Sequence, residues 1–295
     1  MPSNIERLIS KDAVHPPKFV KSNMCFEGLT GSVAYGCSSD TSDMDIVGFC
    51  IPPKNIIFPH LDGYIEGFGK KPNRFEVWQE HHVLAEEKEY DFSIYSIIKF
   101  MQLCMEGNPN MIDVLFLPQR CILYTNQIGQ MIREARHSFL HKGCFPKFKG
   151  YIYAQRHRMD STPNEKRSPK RLELIEKYGF DTKFAYHIPR LLLEVEQILI
   201  EGDLDLERNR EMLKSIRRGE WKKEDIIQWC QEKEKGLEKA YENSKLPYGP
   251  NEDGLKQLLL NCLEHHYGSL DKVIVKPNKE GMLLQELRKL VERCS

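Results

Sequence analysis

The alternation of apolar and polar positions changes near residue 120 of this chain. Before that point, four short runs bounded by Gly, Pro, Asn or Asp have the apolar or alternating character of strands. They read VAYG, MDIVGFCI, RFEVWQEHHVL and MIDVLFL. Between the last two runs, SIYSIIKFMQLCMEG carries apolar residues at helical spacing, with Gly107 just past its end. The pattern predicts a strand-rich segment that includes one helix.

After residue 120 the periodicity is helical almost throughout. It predicts helices near residues 126–140, 145–158, 165–178, 182–201, 222–243 and 252–267. We therefore expect an α/β (α+β) protein, with a small mixed-sheet domain over residues 1–120 and a helical domain over residues 121–295.

Composition narrows the class of protein. The chain has 295 residues, 40% of them hydrophobic and 29% charged, as globular proteins do. No apolar run reaches the roughly 18 residues of a membrane span, and no signal-peptide core is present, so we expect a cytoplasmic protein with no membrane partner. Nine scattered cysteines without a Cys-x-x-Cys pair disfavour a disulfide framework or a thiolate zinc site. Basic and acidic residues number 43 each, so nucleic-acid affinity would need a local patch.

Candidate chemistry is concentrated in residues 29–48, LTGSVAYGCSSDTSDMDIVG. On a strand, Asp43 and Asp45 point to the same face about 6.6 Å apart, and a hard divalent cation would relieve their repulsion. Gly31 permits close backbone approach, and Ser32 offers a hydroxyl and an N–H to a phosphate oxygen. Either half alone is common in turns and loops. Together they predict a phosphate and metal site.

This stretch resembles the signature of the DNA polymerase β nucleotidyltransferase superfamily. More narrowly, it is similar to the RNA-ligase-associated (RlaP / YcgL-like) nucleotidyltransferases, whose motif begins Gly-Ser-x-Ala-Tyr-Gly. The likeness spans roughly residues 25–250; Thr30 stands where the superfamily motif ordinarily has an apolar residue. It continues in EYDFSIYSIIKFMQLCMEGNPNMIDVLF, TKFAYHIPRLLLEVEQIL, IRRGEW and SKLP.

The resemblance implies a polymerase-β-type catalytic domain that uses a nucleoside triphosphate and Mg²⁺ or Mn²⁺, with two ions bound. It further implies that Asp91 completes a carboxylate triad with Asp43 and Asp45. From its neighbours alone, Asp91 could equally be a helix-start carboxylate stabilised by the helix dipole, with Ser93 capping that helix.

The helix that begins near Asp181 carries two stripes. The first predicts a face buried in the core and contains Ala185, Ile188, Leu191, Leu192, Val195 and Leu199. The second contains Lys183, His187, Arg190 and Glu194. By pattern alone the second is a solvated face. The resemblance implies instead that it faces the metals, with Lys183, His187 and Arg190 binding the nucleotide.

Residues 133–171 combine an excess of Lys and Arg with interleaved aromatic residues. Such a region could pair with phosphates and stack bases, which makes it the candidate contact for an RNA acceptor. A basic solvated face over core aromatics is the alternative. The adjacent pairs His81-His82 and His265-His266 are expected to point to different sides and not to chelate one metal.

The resulting hypothesis is a metal-dependent nucleotidyltransferase that moves a nucleoside monophosphate to an acceptor hydroxyl, on tRNA or on RNA ends during processing or repair. Nucleotidylation of a protein or small molecule is the nearest alternative. A catalytically inactive nucleotide- or RNA-binding module and a helical regulator on a sheet scaffold are more distant ones, since fold alone does not fix function.

Overall fold

A five-stranded mixed sheet forms the first part of the molecule. The structure, a computed structural model, describes residues 3–38, 43–67, 69–70, 72, 74–160 and 169–270. The strands are β1 (Met24–Leu29), β2 (Met44–Cys50), β3 (Val77–Ala85), β4 (Lys88–Ser96) and β5 (Ile122–Thr125). Their order is β3-β4-β2-β1-β5, with β2 and β4 parallel and the other neighbours antiparallel. The predicted α/β class, with a mixed sheet followed by helices, is confirmed.

Helices make up most of the rest of the described chain. They are α1 (Asn4–Ser10), α2 (Lys18–Asn23), α3 (Lys54–Ile57), α4 (Ile97–Met105), α5 (Pro109–Leu115), α6 (Gln127–Glu134), α7 (Cys144–Asp160), α8 (Pro169–Tyr178), α9 (Thr182–Ala185), α10 (His187–Glu201), α11 (Arg210–Arg217), α12 (Lys223–Asn243) and α13 (Glu252–Tyr267). Within the described ranges, none combines the length and apolar character that a membrane crossing requires.

One hydrophobic core joins the sheet to the helices. Phe49 of β2 stacks between Phe26 of β1 and Phe100 of α4, with ring centroids 5.7 and 4.6 Å apart. Further along the chain, α10 packs between α7 and α12. All six residues of its predicted apolar stripe are buried. That prediction is confirmed. Because this face is packed in the core, the positions of the side chains on the second stripe are fixed as well.

Two of the predicted strands are wrong. The run VAYG lies in a 3₁₀ turn over Gly31–Val33 and the turn that follows it, because the backbone of Gly31 is left-handed (φ +66°). The run MIDVLFL is mostly α5, which begins after the capping side chain of Asn108 with Pro109 at its first position. Asn followed by Pro is a helix-start signal that outweighs the apolar run.

The boundary between the predicted helix and its preceding strand also differs. The strand β4 continues to Ser96, whose hydroxyl accepts the N–H of Lys99 and caps α4. Asp91 therefore lies inside a strand, six residues before the helix. The interpretation of Asp91 as a helix-start carboxylate, with Ser93 capping that helix, is wrong.

Several elements escaped the sequence patterns, among them β1, β5 and α11. Because β5 pairs with β1 over Ile122–Thr125, the sheet extends past residue 120, where the pattern changes. The other predicted helices are present with three differences. The segment 126–140 is α6 followed by a 3₁₀ turn over Arg136–Phe139, and the segment 182–201 divides at Tyr186 into α9 and α10. Residues 165–168 lie outside the described residues.

We predict opposite effects for two glycine substitutions. In Gly48→Ala, the new Cβ would lie 2.3 Å from the backbone oxygen of Phe26, so the sheet must shift and the free energy of unfolding should fall by about 1–3 kcal/mol. Gly236 is exposed within α12, and an added Cβ would meet no described atom within 4 Å, so Gly236→Ala should stabilise by about 0.5–1 kcal/mol. Denaturant unfolding of both variants checks this. Equal effects would contradict the close β1–β2 contact.

Candidate active site at the β2–β4 carboxylates

The predicted carboxylates meet at the centre of the sheet. Asp45 on β2 is in register with Asp91 on the neighbouring parallel strand β4. Paired residues on adjacent strands lie about 4.8 Å apart and point to the same face, so these two side chains are neighbours. Asp43 lies just before β2 and contributes a further negative charge near Asp45. The structure thus brings Asp45 and Asp91 together, with Asp43 close to Asp45, and their role as metal ligands stays a prediction.

The turn that carries Gly31 and Ser32 lies directly against Asp45. The Thr30 N–H and hydroxyl both donate to the carbonyl of Asp45, at 2.8 and 3.1 Å. A Cβ built on Gly31 would lie 2.3 Å from Oδ2 of Asp45, so only glycine leaves room for that carboxylate. The neighbouring Ser32 is half-buried in the same 3₁₀ turn. Thr30, where an apolar residue is usual, here tethers the turn to the strand.

The electrostatics of Asp45 reflect this crowding. Burial raises the pKa of its carboxyl most, and the charges of Asp91 and then Asp43 raise it further. The positive charges of Lys183 and His81 act in the opposite direction, and the net pKa shift is upward. Burial and the neighbouring carboxylates together outweigh these two cations, so the charged form of Asp45 is disfavoured at this point of the sheet.

Aspartate oxygens in this number and charge suit a hard divalent cation such as Mg²⁺ or Mn²⁺. The burial of Asp45 beside two other carboxylates is the feature that such a cation would relieve, so the residues present fit the ion chemically. Among the described residues, however, no three His, Cys, Asp or Glu side chains already stand in a geometry that could hold a metal. Asp43, Asp45 and Asp91 would be the protein ligands.

A pair of histidines at a β-bulge adjoins Asp91. The register of β3 against β4 slips between Glu80 and Val83, so His81 and His82 both oppose Asp91. His82 adopts a left-handed backbone (φ +57°) and donates its N–H to Oδ1 of Asp91 at 2.8 Å. Nδ1 of His81 lies 3.5 Å from the same oxygen. The sequence pattern missed both contacts because an adjacent pair on a regular strand would point to opposite faces.

The predicted nucleotide-binding stripe is only partly at the site. Lys183 in α9 is exposed, and its charge acts on Asp45, so it faces the carboxylates. His187, at the start of α10, is half-buried. Its pKa lies well below the usual value, first because of burial and then because of the charges of Arg190, Lys183, Arg217 and Arg171. Its imidazole is therefore neutral at pH 7, among four cationic side chains.

Arg190 is held by internal partners. Its Nη1 donates to Asp113 at 2.6 Å, to the hydroxyl of Tyr35 at 2.6 Å and to Glu194 at 3.0 Å. The four side chains are each no more than 5% exposed. The guanidinium of Arg190 thus contacts Tyr35, which lies in the turn that begins with Gly31 and Ser32. A direct phosphate contact by Arg190 stays a prediction.

Several basic residues of region 133–171 are paired with acids from other elements. Three such ion pairs are Lys147–Glu106, Lys149–Glu238 and Arg156–Glu234, at 3.1, 2.6 and 2.9 Å. Phe145 and Phe148 are buried, while the side chain of Tyr153 is 74% exposed. Residues 161–168 of the region lie outside the described residues. One exposed aromatic residue and exchangeable surface ion pairs are what this face offers to a polyanion.

Comparisons with known proteins give a family match over most of the chain. A family model described as the RNA repair pathway DNA polymerase beta family (RlaP) matches residues 4–260. Among curated proteins, none matches the chain. A solved structure of a nucleotidyltransferase-like protein from Exiguobacterium sibiricum is similar at 10% identity, covering 81% of this chain and 75% of that chain, with a TM-score of 0.29.

We predict a pH signature from His187. Because its folded pKa lies below the value of 6.5 in the unfolded chain, the unfolded state binds more protons below that pH. The contribution of neutral His187 to the free energy of unfolding is therefore complete above pH 6.5, and it is lost as the pH falls towards the folded pKa. In His187→Gln, the free energy of unfolding should decline less between pH 7 and pH 5 than in the wild type, by up to about 1.4 kcal/mol per pH unit. Urea unfolding across this range is the measurement, and parallel profiles would contradict it.

Proposed function

The chain belongs to the RNA repair pathway DNA polymerase beta family, and from this premise we propose that it is a metal-dependent nucleotidyltransferase that acts on RNA. It moves a nucleoside monophosphate from a nucleoside triphosphate to an acceptor hydroxyl of tRNA or of an RNA end. The observation that carries the proposal is the in-register pairing of Asp45 with Asp91, with the Gly31 backbone directly against Asp45.

The residues have distinct tasks in this reaction. Gly31 and Ser32 receive the phosphates on a turn held beside the carboxylates. Asp43, Asp45 and Asp91 would hold Mg²⁺ or Mn²⁺, which would supply charge stabilisation for the attacking and leaving oxygens. The backbone N–H of His82 fixes one oxygen of Asp91, so that carboxylate keeps its orientation.

Positive charge for the triphosphate comes from the helical side of the site. Lys183 acts on Asp45 across the site, and its exposed ammonium is available to a phosphate. His187 is neutral when no anion is bound, so it can donate or accept a hydrogen bond at a phosphate or at the acceptor hydroxyl. In-line attack on the α-phosphate then leaves pyrophosphate, and the protein's work is mainly positioning and charge stabilisation.

RNA as the acceptor is supported by the family description and by the exposed Tyr153 among the cations of region 133–171. The test incubates the protein with each α-³²P-labelled triphosphate, Mg²⁺ or Mn²⁺, and a mixture of tRNA and short RNAs. Label on RNA supports the proposal and identifies the base. Label on the protein alone would replace RNA with a protein acceptor, and no label with any triphosphate would contradict it.

We predict that Asp45→Asn loses activity and gains stability together. Removing this carboxylate should lower transfer by at least about a thousandfold, since metal binding supplies several kcal/mol of transition-state stabilisation. Because the folded pKa of Asp45 is raised, its charge opposes folding at neutral pH, so the variant should unfold at a higher temperature. Asp253→Asn, an exposed change in α13, is the control and should alter neither quantity much. An active Asp45→Asn would contradict the assignment.

A further inference from the structure

We propose that Tyr35, Asp113, Arg190 and Glu194 form a buried positioning cluster that sets the geometry of the Gly31–Ser32 turn. The cluster joins three parts of the chain: Tyr35 from the turn, Asp113 from α5, and Arg190 with Glu194 from α10. This role rests on the proposed function, because it concerns how the turn meets a nucleotide. None of the four is required to touch the substrate.

The contacts are short and reciprocal. The Tyr35 hydroxyl donates to Oδ2 of Asp113 at 2.6 Å and accepts from Nη1 of Arg190 at 2.6 Å. The same Nη1 donates to Oδ2 of Asp113, while the guanidinium carbon lies 4.5 Å from the centroid of the Tyr35 ring. The hydroxyl thus has one donor and one acceptor partner, and both are themselves hydrogen-bonded. Hydrogen-bond networks of this kind hold side chains in place in a low-dielectric interior.

The charge balance of the cluster argues against Arg190 as a free phosphate ligand. One guanidinium faces two buried carboxylates, and burial raises the pKa of both Asp113 and Glu194. Moving Arg190 towards a nucleotide would leave those carboxyls without their cation, which is costly in a buried position. Oδ1 of Asp113 and Nε of Arg190 have no hydrogen-bond partner among the described residues even so. The protein keeps this buried ionic cluster next to the turn that adjoins Asp45.

Tyr35 is mechanically linked to the phosphate-facing residues. It lies within a turn closed by three backbone hydrogen bonds, which join Ala34 to Gly31, Gly36 to Val33 and Cys37 to Ser32. Two further arginines hold the turn's carbonyls from outside: Nη2 of Arg120 donates to Val33 at 2.8 Å, and Nη1 of Arg217 donates to Cys37. Because the turn is internally bonded, a displacement of Tyr35 is transmitted to Gly31 and Ser32.

Hydrogen exchange and nucleotide binding of Tyr35→Phe test this inference together. The variant keeps the ring and removes the hydroxyl, so the fold should survive. We expect amide exchange of the peptide over residues 31–37 to rise and the Kd for a nucleoside triphosphate with Mg²⁺ to rise, each by about tenfold, the size of one lost hydrogen bond to charged groups. Tyr267→Phe is the matched control, because it removes a tyrosine hydroxyl that donates to the carbonyl of Pro52 instead.

A double-mutant cycle with Arg190→Lys separates positioning from direct binding. If Arg190 acts through Tyr35, the losses in triphosphate affinity of the two single variants will not add in the double variant. Additive losses, or an Arg190→Lys that weakens binding without raising turn exchange, would overturn the inference in favour of a phosphate contact. Unchanged turn exchange in Tyr35→Phe would overturn it too. A wild-type protein that binds no triphosphate would instead contradict the proposed function, while the exchange result still decides whether the cluster holds the turn.

Discussion

The parallel pairing of β2 with β4 is the constraint on which the site depends. It sets two aspartates side by side at the same level of a buried sheet, an arrangement that like charges oppose. The backbone hydrogen bonds of the two strands and the apolar residues beneath them hold the carboxylates there. The chain thus keeps like charges together at this point, a conflict that a bound cation could relieve.

The parts of the fold that the sequence predicted are those in which local pattern and burial agree. The apolar residues of β2 and the buried stripe of α10 have the periods of a strand and a helix, and tertiary packing preserves both. The strand β1 was missed because Glu27 and Gly28 interrupt its apolar run. Glu27 is nonetheless fully buried, with its carboxylate accepting the N–H groups of Asn4 and Ile5 at the start of α1. A distant helix terminus supplies that partner, so no local pattern could reveal it.

The candidate site shows the same division. The apolar residues after Asp45 predicted that it lies on a strand, whereas Asp43 lies just before that strand. The approach of His81 and His82 to Asp91 could not be predicted, because it depends on a register slip between β3 and β4. The surroundings of Arg190 were also hidden. A helical stripe shows that Arg190 and Glu194 share a side, but the partners that bury them, Tyr35 and Asp113, lie more than 70 residues away.

The strand β5 ties the helical part of the chain to the sheet. Although the helical pattern begins near residue 120, the sheet is completed only by the strand Ile122–Thr125. In addition, Arg190 of α10 donates a hydrogen bond to Tyr35 and so holds the turn that follows Gly31 and Ser32. The chain therefore does not consist of two independent parts, one with the carboxylates and one with most of the helices, that could be exchanged separately. A recombination event that replaced the helices would also remove a sheet edge and the anchor of the turn. Descent of this fold should accordingly preserve the two parts as a pair.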